Sequence, residues 1–170
     1  MDVILFRHGP AGACDAERWP DDALRPLTPR GEQRTLSATY GLARVAPEIQ
    51  RVLTSPLTRA VQTARALESV LLDVPVDTLE PLRPGGSYRE VLEALGALSA
   101  TERVVLVGHE PDLGQLAGTL LFGSFSAIPL KKAGACGIRF EGEVQRGAGR
   151  LLWFLSPKIL RRLADKSACS

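Results

Sequence analysis

The chain is poor in histidine and in cysteine. Its 170 residues include two histidines and three cysteines. Cys14, Cys136 and Cys169 are odd in number, widely spaced and form no Cys-x-x-Cys pair. That pattern argues against a disulfide framework and against a zinc site. It suits a reducing compartment, so a cytoplasmic protein is expected. An excess of one charge is missing too: the net charge is only +2, with no polycationic signal for nucleic acid. The basic pairs Lys131-Lys132 and Arg161-Arg162 read as solvated faces, also able to dock an acidic partner. No apolar run approaches membrane-spanning length, and Val3 to Phe6 is too short for a signal core. These exclusions leave one globular domain over residues 1–170, long enough for a sizeable core.

The chain alternates strands and helices. Residues 2–6 read as a first strand, and 9–27 as a long loop of the kind that often carries function. Thr28-Pro29 is a cap-then-proline signature that opens a helix reaching about Arg44. A strand over Val52 to Thr54 follows, then a second cap-then-proline signature at Ser55-Pro56. Leu57, Ala60, Val61, Ala64 and Leu67 give the next helix one apolar face. A third strand is expected over Val74 to Thr78 and a turn over Pro81 to Gly86. Ser87 and Glu90 form a capping box for a helix that buries Val91, Leu92, Leu95 and Leu98. A strand at 103–107 leads to a helix started by Pro111, with Leu113, Leu116, Ala117, Leu120 and Leu121 facing inward. Residues 135–141 and 149–155 read as a β-hairpin. The implied fold is an α/β layered sandwich, with a mostly parallel sheet that the hairpin makes mixed.

Both histidines fall at the ends of apolar strands: Val3-Ile4-Leu5-Phe6 leads into Arg7-His8-Gly9, and Val104-Val105-Leu106-Val107 into Gly108-His109-Glu110. In open α/β sheets ligands bind just beyond the carboxyl ends of the strands. A histidine can act as a nucleophile, and phosphorus is a natural target because a ring nitrogen can carry a phosphoryl group. Arg7 offers fork-like donors for phosphate oxygens, and Gly9 lets the backbone approach a ligand closely. Arg59 falls in the first or second turn of its helix, where an anion is favoured. His109 is placed to donate to a phosphoryl oxygen and to become protonated beside an anion. Each residue also has a plain alternative. His8 and His109 can be satisfied strand-end histidines, Arg59 a surface arginine, and Glu110 a helix-start carboxylate.

Taken in order, these pieces resemble the histidine phosphatase superfamily, with its phosphoglycerate-mutase-like α/β/α fold, and within it the SixA-type phosphohistidine phosphatases. The resemblance rests on Arg7-His8-Gly9, on Arg25-Pro26-Leu27-Thr28-Pro29-Arg30-Gly31 and on Thr54-Ser55-Pro56-Leu57-Thr58-Arg59-Ala60. It continues through Val107-Gly108-His109-Glu110-Pro111-Asp112-Leu113, Leu130-Lys131-Lys132-Ala133-Gly134 and Leu152-Trp153-Phe154-Leu155-Ser156-Pro157. It implies that His8 is a nucleophile that becomes phosphorylated, cradled by Arg7, Arg59 and a protonated His109. It implies no cofactor and no metal.

The general acid departs from the related patterns. Where the mutase-like branch carries an acid shortly after Arg-His-Gly, this chain has Pro10-Ala11-Gly12-Ala13. Glu110 takes the position of the acid that follows the second histidine in acid-phosphatase-like relatives, although Pro111 can turn it away. Asp21 and Asp22 are other candidates. An imidazole leaves as a neutral ring if its other nitrogen is protonated, so a weak acid suits a phosphohistidine better than an alkyl phosphate. Arg25 and Arg83 are candidates for substrate contact at the rim, or else surface arginines. The expected partner is a phosphorylated substrate, such as a histidine-phosphorylated signalling protein, and the chain is expected to be a monomer. Alternative functions are a broad phosphomonoesterase on small metabolites and a non-catalytic phosphate-binding protein.

Overall fold

The computed structural model describes residues 1–124 and 126–165. Cys169 therefore lies outside the described residues. Six strands form one sheet: β1 (Asp2–Arg7), β2 (Arg51–Thr54), β3 (Val76–Thr78), β4 (Arg103–Gly108), β5 (Ala135–Arg139) and β6 (Arg150–Leu155). Their spatial order is β3-β2-β4-β1-β5-β6. β1 to β4 run parallel, whereas β5 is antiparallel to both β1 and β6, so the sheet is mixed.

The apolar runs of β1 and β4 follow from their central position. Alternate residues of a strand face opposite sides, and here both sides are covered. Val3, Leu5, Val104 and Leu106 pack with Val91, Leu95, Leu113, Leu116 and Leu120. These come from α3 (Tyr88–Gly96) and α4 (Asp112–Phe122). Ile4, Phe6, Val105 and Val107 pack on the other side with Ala38, Leu42, Ala60, Ala64, Leu67 and Leu160. Those come from α1 (Pro29–Val45), α2 (Thr58–Leu71) and α5 (Pro157–Ala164). Each large side chain in these layers stabilises the fold by about 1.5–3 kcal/mol. Among the described residues, no helix is long and apolar enough to cross a membrane.

Local signals set most helix starts. Thr28 Oγ1 accepts the Gly31 N–H at 2.9 Å, with Pro29 in the first turn of α1. Ser87 Oγ accepts the Glu90 N–H at 3.3 Å. Several expectations need correction. The third strand is shorter than 74–78 and occupies only Val76–Thr78. The hairpin strands end at Arg139 and begin at Arg150. Leu92, Leu98 and Leu121 are half-buried rather than part of the buried core. The loop over 9–27 contains a 3-10 turn at Asp22–Leu24 and a bridge between Ala11 and Leu27. Ser55 does not cap a helix at Pro56; α2 starts at Thr58, with Leu57 in the capping place and no side-chain cap. α5 was not foreseen, although Ser156-Pro157 is the same signature as Thr28-Pro29, and Ser156 Oγ accepts the Ile159 N–H at 3.4 Å.

Candidate active site

The register of the two central strands brings the histidines together. Arg7 lies opposite Gly108 where β1 and β4 end, and the His8 N–H donates to the Gly108 carbonyl at 3.0 Å. The two imidazoles then stand with ring centroids 4.9 Å apart. Both are buried, at 5% and 3% exposure.

His8 is fixed in one tautomer. Its Nδ1 donates to the Gly9 carbonyl at 2.7 Å, because a carbonyl can only accept. The lone pair is thereby left on Nε2, the nitrogen free to attack. Burial chiefly, helped by the charges at His109, Arg59 and Arg7, lowers the His8 pKa to about 3. The ring is neutral at physiological pH, as a nucleophile requires. Gly9 is small for a reason: a Cβ there would run into the Thr35 side chain. Its N–H donates to Thr63 Oγ1 at 3.0 Å, and the Thr63 hydroxyl donates back to the Arg59 carbonyl at 2.8 Å. The His8-Gly9 turn is thus tied through Thr63 to Arg59 in the first turn of α2.

Arg59, expected in the first or second turn of its helix, lies in the first turn of α2 and is 4% exposed. Its Nη1 donates to the Asp22 carbonyl at 2.8 Å, and Nη2 lies 3.0 Å from an Asp22 carboxylate oxygen. Arg25 grips the same carboxylate through Nε at 2.7 Å and donates to the Gly12 carbonyl at 2.6 Å. The neighbouring arginines hold Asp22 below the usual carboxylate range, the hydrogen bond from Arg25 most of all. Asp22 is therefore a bridge between two guanidiniums. Asp21 caps the 3-10 turn by accepting the Ala23 N–H at 2.9 Å. Arg25 thus reaches the site through Asp22. Arg83 is exposed on the segment whose Pro81, Leu82 and Gly86 line a shallow cleft with His109 and Asp112.

Arg7 donates through Nη1 to the Leu130 carbonyl at 2.7 Å. His109 Nε2 and the Ser55 hydroxyl lie 2.8 Å apart. When that hydroxyl donates, the His109 proton sits on Nδ1. With no anion in the pocket, burial first and then the Arg59 charge lower the His109 pKa to about 4. A phosphoryl dianion against it would favour the protonated form.

The unsatisfied atoms are concentrated here. Among the described residues, the buried side-chain nitrogens and oxygens without a hydrogen-bond partner are Arg7 Nε, Arg51 Nε, Arg59 Nε, Glu102 Oε2, His109 Nδ1 and Thr119 Oγ1. Arg51 Nε and Glu102 Oε2 face each other as an ion pair at 3.5 Å. Of the rest, all but Thr119 belong to the residues flanking His8. A buried unsatisfied donor costs about 1–3 kcal/mol, which calls for an explanation such as a ligand. The Arg7 and Arg59 nitrogens, with His109 Nδ1 when it carries the proton, would suit the equatorial oxygens of a transferring phosphoryl group beside the neutral His8 ring. Among the described residues, no three His, Cys, Asp or Glu side chains gather as a metal site would.

Comparison with known proteins agrees. The model of the histidine phosphatase superfamily (branch 1) matches residues 3–84. Phosphohistidine phosphatase SixA of Escherichia coli strain K12 is 32% identical over 95% of this chain and 97% of its own length. The chain belongs to the histidine phosphatase superfamily, in its SixA-type branch. An uncharacterized protein of Picosynechococcus is 39% identical over 94% of this chain and 99% of its own. A solved structure of the protein histidine phosphatase SixA complexed with tungstate superposes with a TM-score of 0.79 at 31% identity. That superposition covers 94% of this chain and 99% of the other.

Three site features escaped the sequence reading. Ser55 looked like a helix cap and is instead the partner of His109. Asp22 was considered only as an acid. Lys132 is exposed, as the sequence suggests, but partial desolvation and the charges of Arg7, Arg25 and Arg59 lower its pKa, which puts a further cation near the pocket. Only Asp22, within the long loop, carried a usable signal: an acid three residues before Arg25.

Proposed function

We propose that this chain hydrolyses phosphohistidine on a protein substrate, through a phosphoryl group carried transiently on His8. The observation that carries this reading is the fixed tautomer of His8, with Nε2 free beside the unpartnered nitrogens of Arg7, Arg59 and His109. In the first step His8 Nε2 attacks phosphorus in line. The substrate's P–N bond breaks as the new P–Nε2 bond forms, and the substrate imidazole leaves neutral if its other nitrogen carries a proton. In the second step water attacks phosphorus, the P–Nε2 bond breaks, and inorganic phosphate and a proton are released. Arg7, Arg59 and His109 stabilise the charge on the phosphoryl oxygens in both steps.

Two candidate acids are engaged elsewhere. Asp22 holds Arg25 and Arg59, and Glu110 accepts the Leu130 N–H at 2.9 Å. A substrate whose leaving group needs little protonation matches such a site. The proposed working unit is a monomer in the cytoplasm, acting on a histidine-phosphorylated protein. Turnover of a phosphohistidine protein, an aryl phosphate and a sugar phosphate, compared for wild type and His8→Ala, tests the reading. Fastest turnover of the phosphohistidine protein, absent in His8→Ala, is expected. Faster turnover of the sugar phosphate, or retained activity in His8→Ala, would overturn it.

A further inference from the structure

Glu110 directly follows the second site histidine, and its pKa is raised, chiefly by burial. A raised pKa is what a general acid needs. The geometry assigns its carboxylate elsewhere. Oε1 accepts the Leu130 N–H at 2.9 Å, and the Gly114 backbone lies close beside the carboxylate. Gly114 itself is shaped around this group: a Cβ there would stand 2.8 Å from Glu110 Oε2 and 3.0 Å from the Ile128 carbonyl. A second bond, from the Ile128 N–H to the Gly114 carbonyl at 3.0 Å, fastens the same segment to α4.

The segment so fastened is the one that holds Arg7. The Leu130 carbonyl receives Arg7 Nη1 at 2.7 Å, and Leu130 is buried at 2% exposure. Three residues on, the Ala133 N–H reaches the Arg7 and His8 carbonyls, each at 3.1 Å. A continuous path of hydrogen bonds therefore runs from the Glu110 carboxylate through the Leu130 peptide to the Arg7 guanidinium. We infer that Glu110 is a positioning residue, which anchors the 128–134 segment to the first turn of α4 and so aims Arg7 at the phosphoryl group. This rests on the reading of Arg7 as a phosphoryl-binding residue.

The two roles leave different kinetic signatures. Loss of a general acid falls hardest on substrates with poor leaving groups and alters the basic limb of the pH profile. Loss of an anchor falls equally on every substrate and weakens binding of a plain oxyanion, with the pH profile unchanged in shape. The test compares wild type, Glu110→Gln, Gly114→Ala, Arg7→Ala and the Arg7→Ala/Glu110→Gln double variant. Each is measured with an aryl phosphate, an alkyl phosphate and a phosphohistidine protein, and by titration with inorganic tungstate. Gly114→Ala disturbs the anchor from the other side, by crowding the Glu110 carboxylate and the Ile128 carbonyl while residue 110 stays a glutamate.

The expected result is a loss of kcat/KM on the order of tenfold or more, alike for all three substrates, in both Glu110→Gln and Gly114→Ala. Tungstate affinity should fall in parallel. On the Arg7→Ala background, Glu110→Gln should cost nothing further, because its effect passes through Arg7. A loss confined to the alkyl phosphate, with a changed basic limb, would make Glu110 the general acid and overturn the inference. Wild-type tungstate binding in both single variants, or an undiminished effect on the Arg7→Ala background, would also overturn it. If wild type binds no tungstate, the phosphoryl-site reading itself falls, and the inference with it.

Discussion

The two ends of β1 and β4 carry similar charges in opposite conditions. At the end where both strands begin, Asp2 is gripped by Arg139 at 2.7 and 2.8 Å and by Arg103 at 3.2 and 3.1 Å. The hydrogen bond from Arg139, more than any other contact, holds Asp2 below the usual carboxylate range. Beside them Arg51 and Glu102 face each other as an ion pair at 3.5 Å, so the charges named here are matched with one another. At the end where the strands finish, Arg7, Arg59 and His109 each keep a buried nitrogen without one. A broad surface concavity lies over the paired end, lined by Asp2, Gln50, Arg103 and Arg139 among others. Concavity alone therefore points away from the proposed site. Unsatisfied donors beside His8 are the reason for placing it at the other end, because paired charges have little left to offer a ligand.

The sharpest break between the two ends comes from removing the proposed nucleophile. His8→Ala should lower turnover by at least about 10⁴-fold and abolish acid-labile phosphoryl labelling. Arg59→Ala and Arg7→Ala should each cost about 10²–10³-fold in kcat, read by steady-state kinetics. Asp2→Asn at the paired end should leave kcat unchanged while lowering stability by about 1–3 kcal/mol in urea titration.

The two ends also respond differently to pH. The folded-state values of His8 and His109, about 3 and about 4, lie below the ordinary 6.5. Between those values and 6.5 the unfolded chain binds more protons. Their contribution is fully present above pH 6.5 and is lost as pH falls toward 4, by about 1.4 kcal/mol per pH unit for each ring. Asp2 acts lower: its depressed pKa contributes stability above the ordinary 3.8 that disappears only as pH falls below it. Chemical denaturation at pH 7, 5 and 4 should therefore show a decline that His109→Asn reduces and Asp2→Asn leaves intact. Among the variants at the proposed site named here, the smallest expected effect is that of Ser55→Ala, about tenfold in kcat, since it frees His109 from one hydrogen bond without removing the ring.

What the sequence made legible follows from range. The central strands, the capped helices α1 and α3 and the pairing of His8 with His109 rest on short-range patterns and on one rule about strand ends. Arg59 was placed the same way, by the start of its helix. The contacts the sequence did not show involve partners distant in the chain. Ser55 lies 54 residues from His109, and Glu110 is 20 residues from Leu130. Arg59 is 37 residues from the Asp22 carbonyl it holds. In each case a residue with an acceptable local role, as a cap, a helix-start carboxylate or a loop acid, is engaged by a contact that only the fold creates. α5 is the exception: its signature was local and was overlooked.

A crystal structure with orthovanadate tests the central claim most directly. The account predicts vanadium bonded to His8 Nε2, with its equatorial oxygens on Arg7, Arg59 and His109 Nδ1. Vanadate seated instead on Arg103 and Arg139 at the opposite end, or held with His8 Nε2 out of reach, would contradict it.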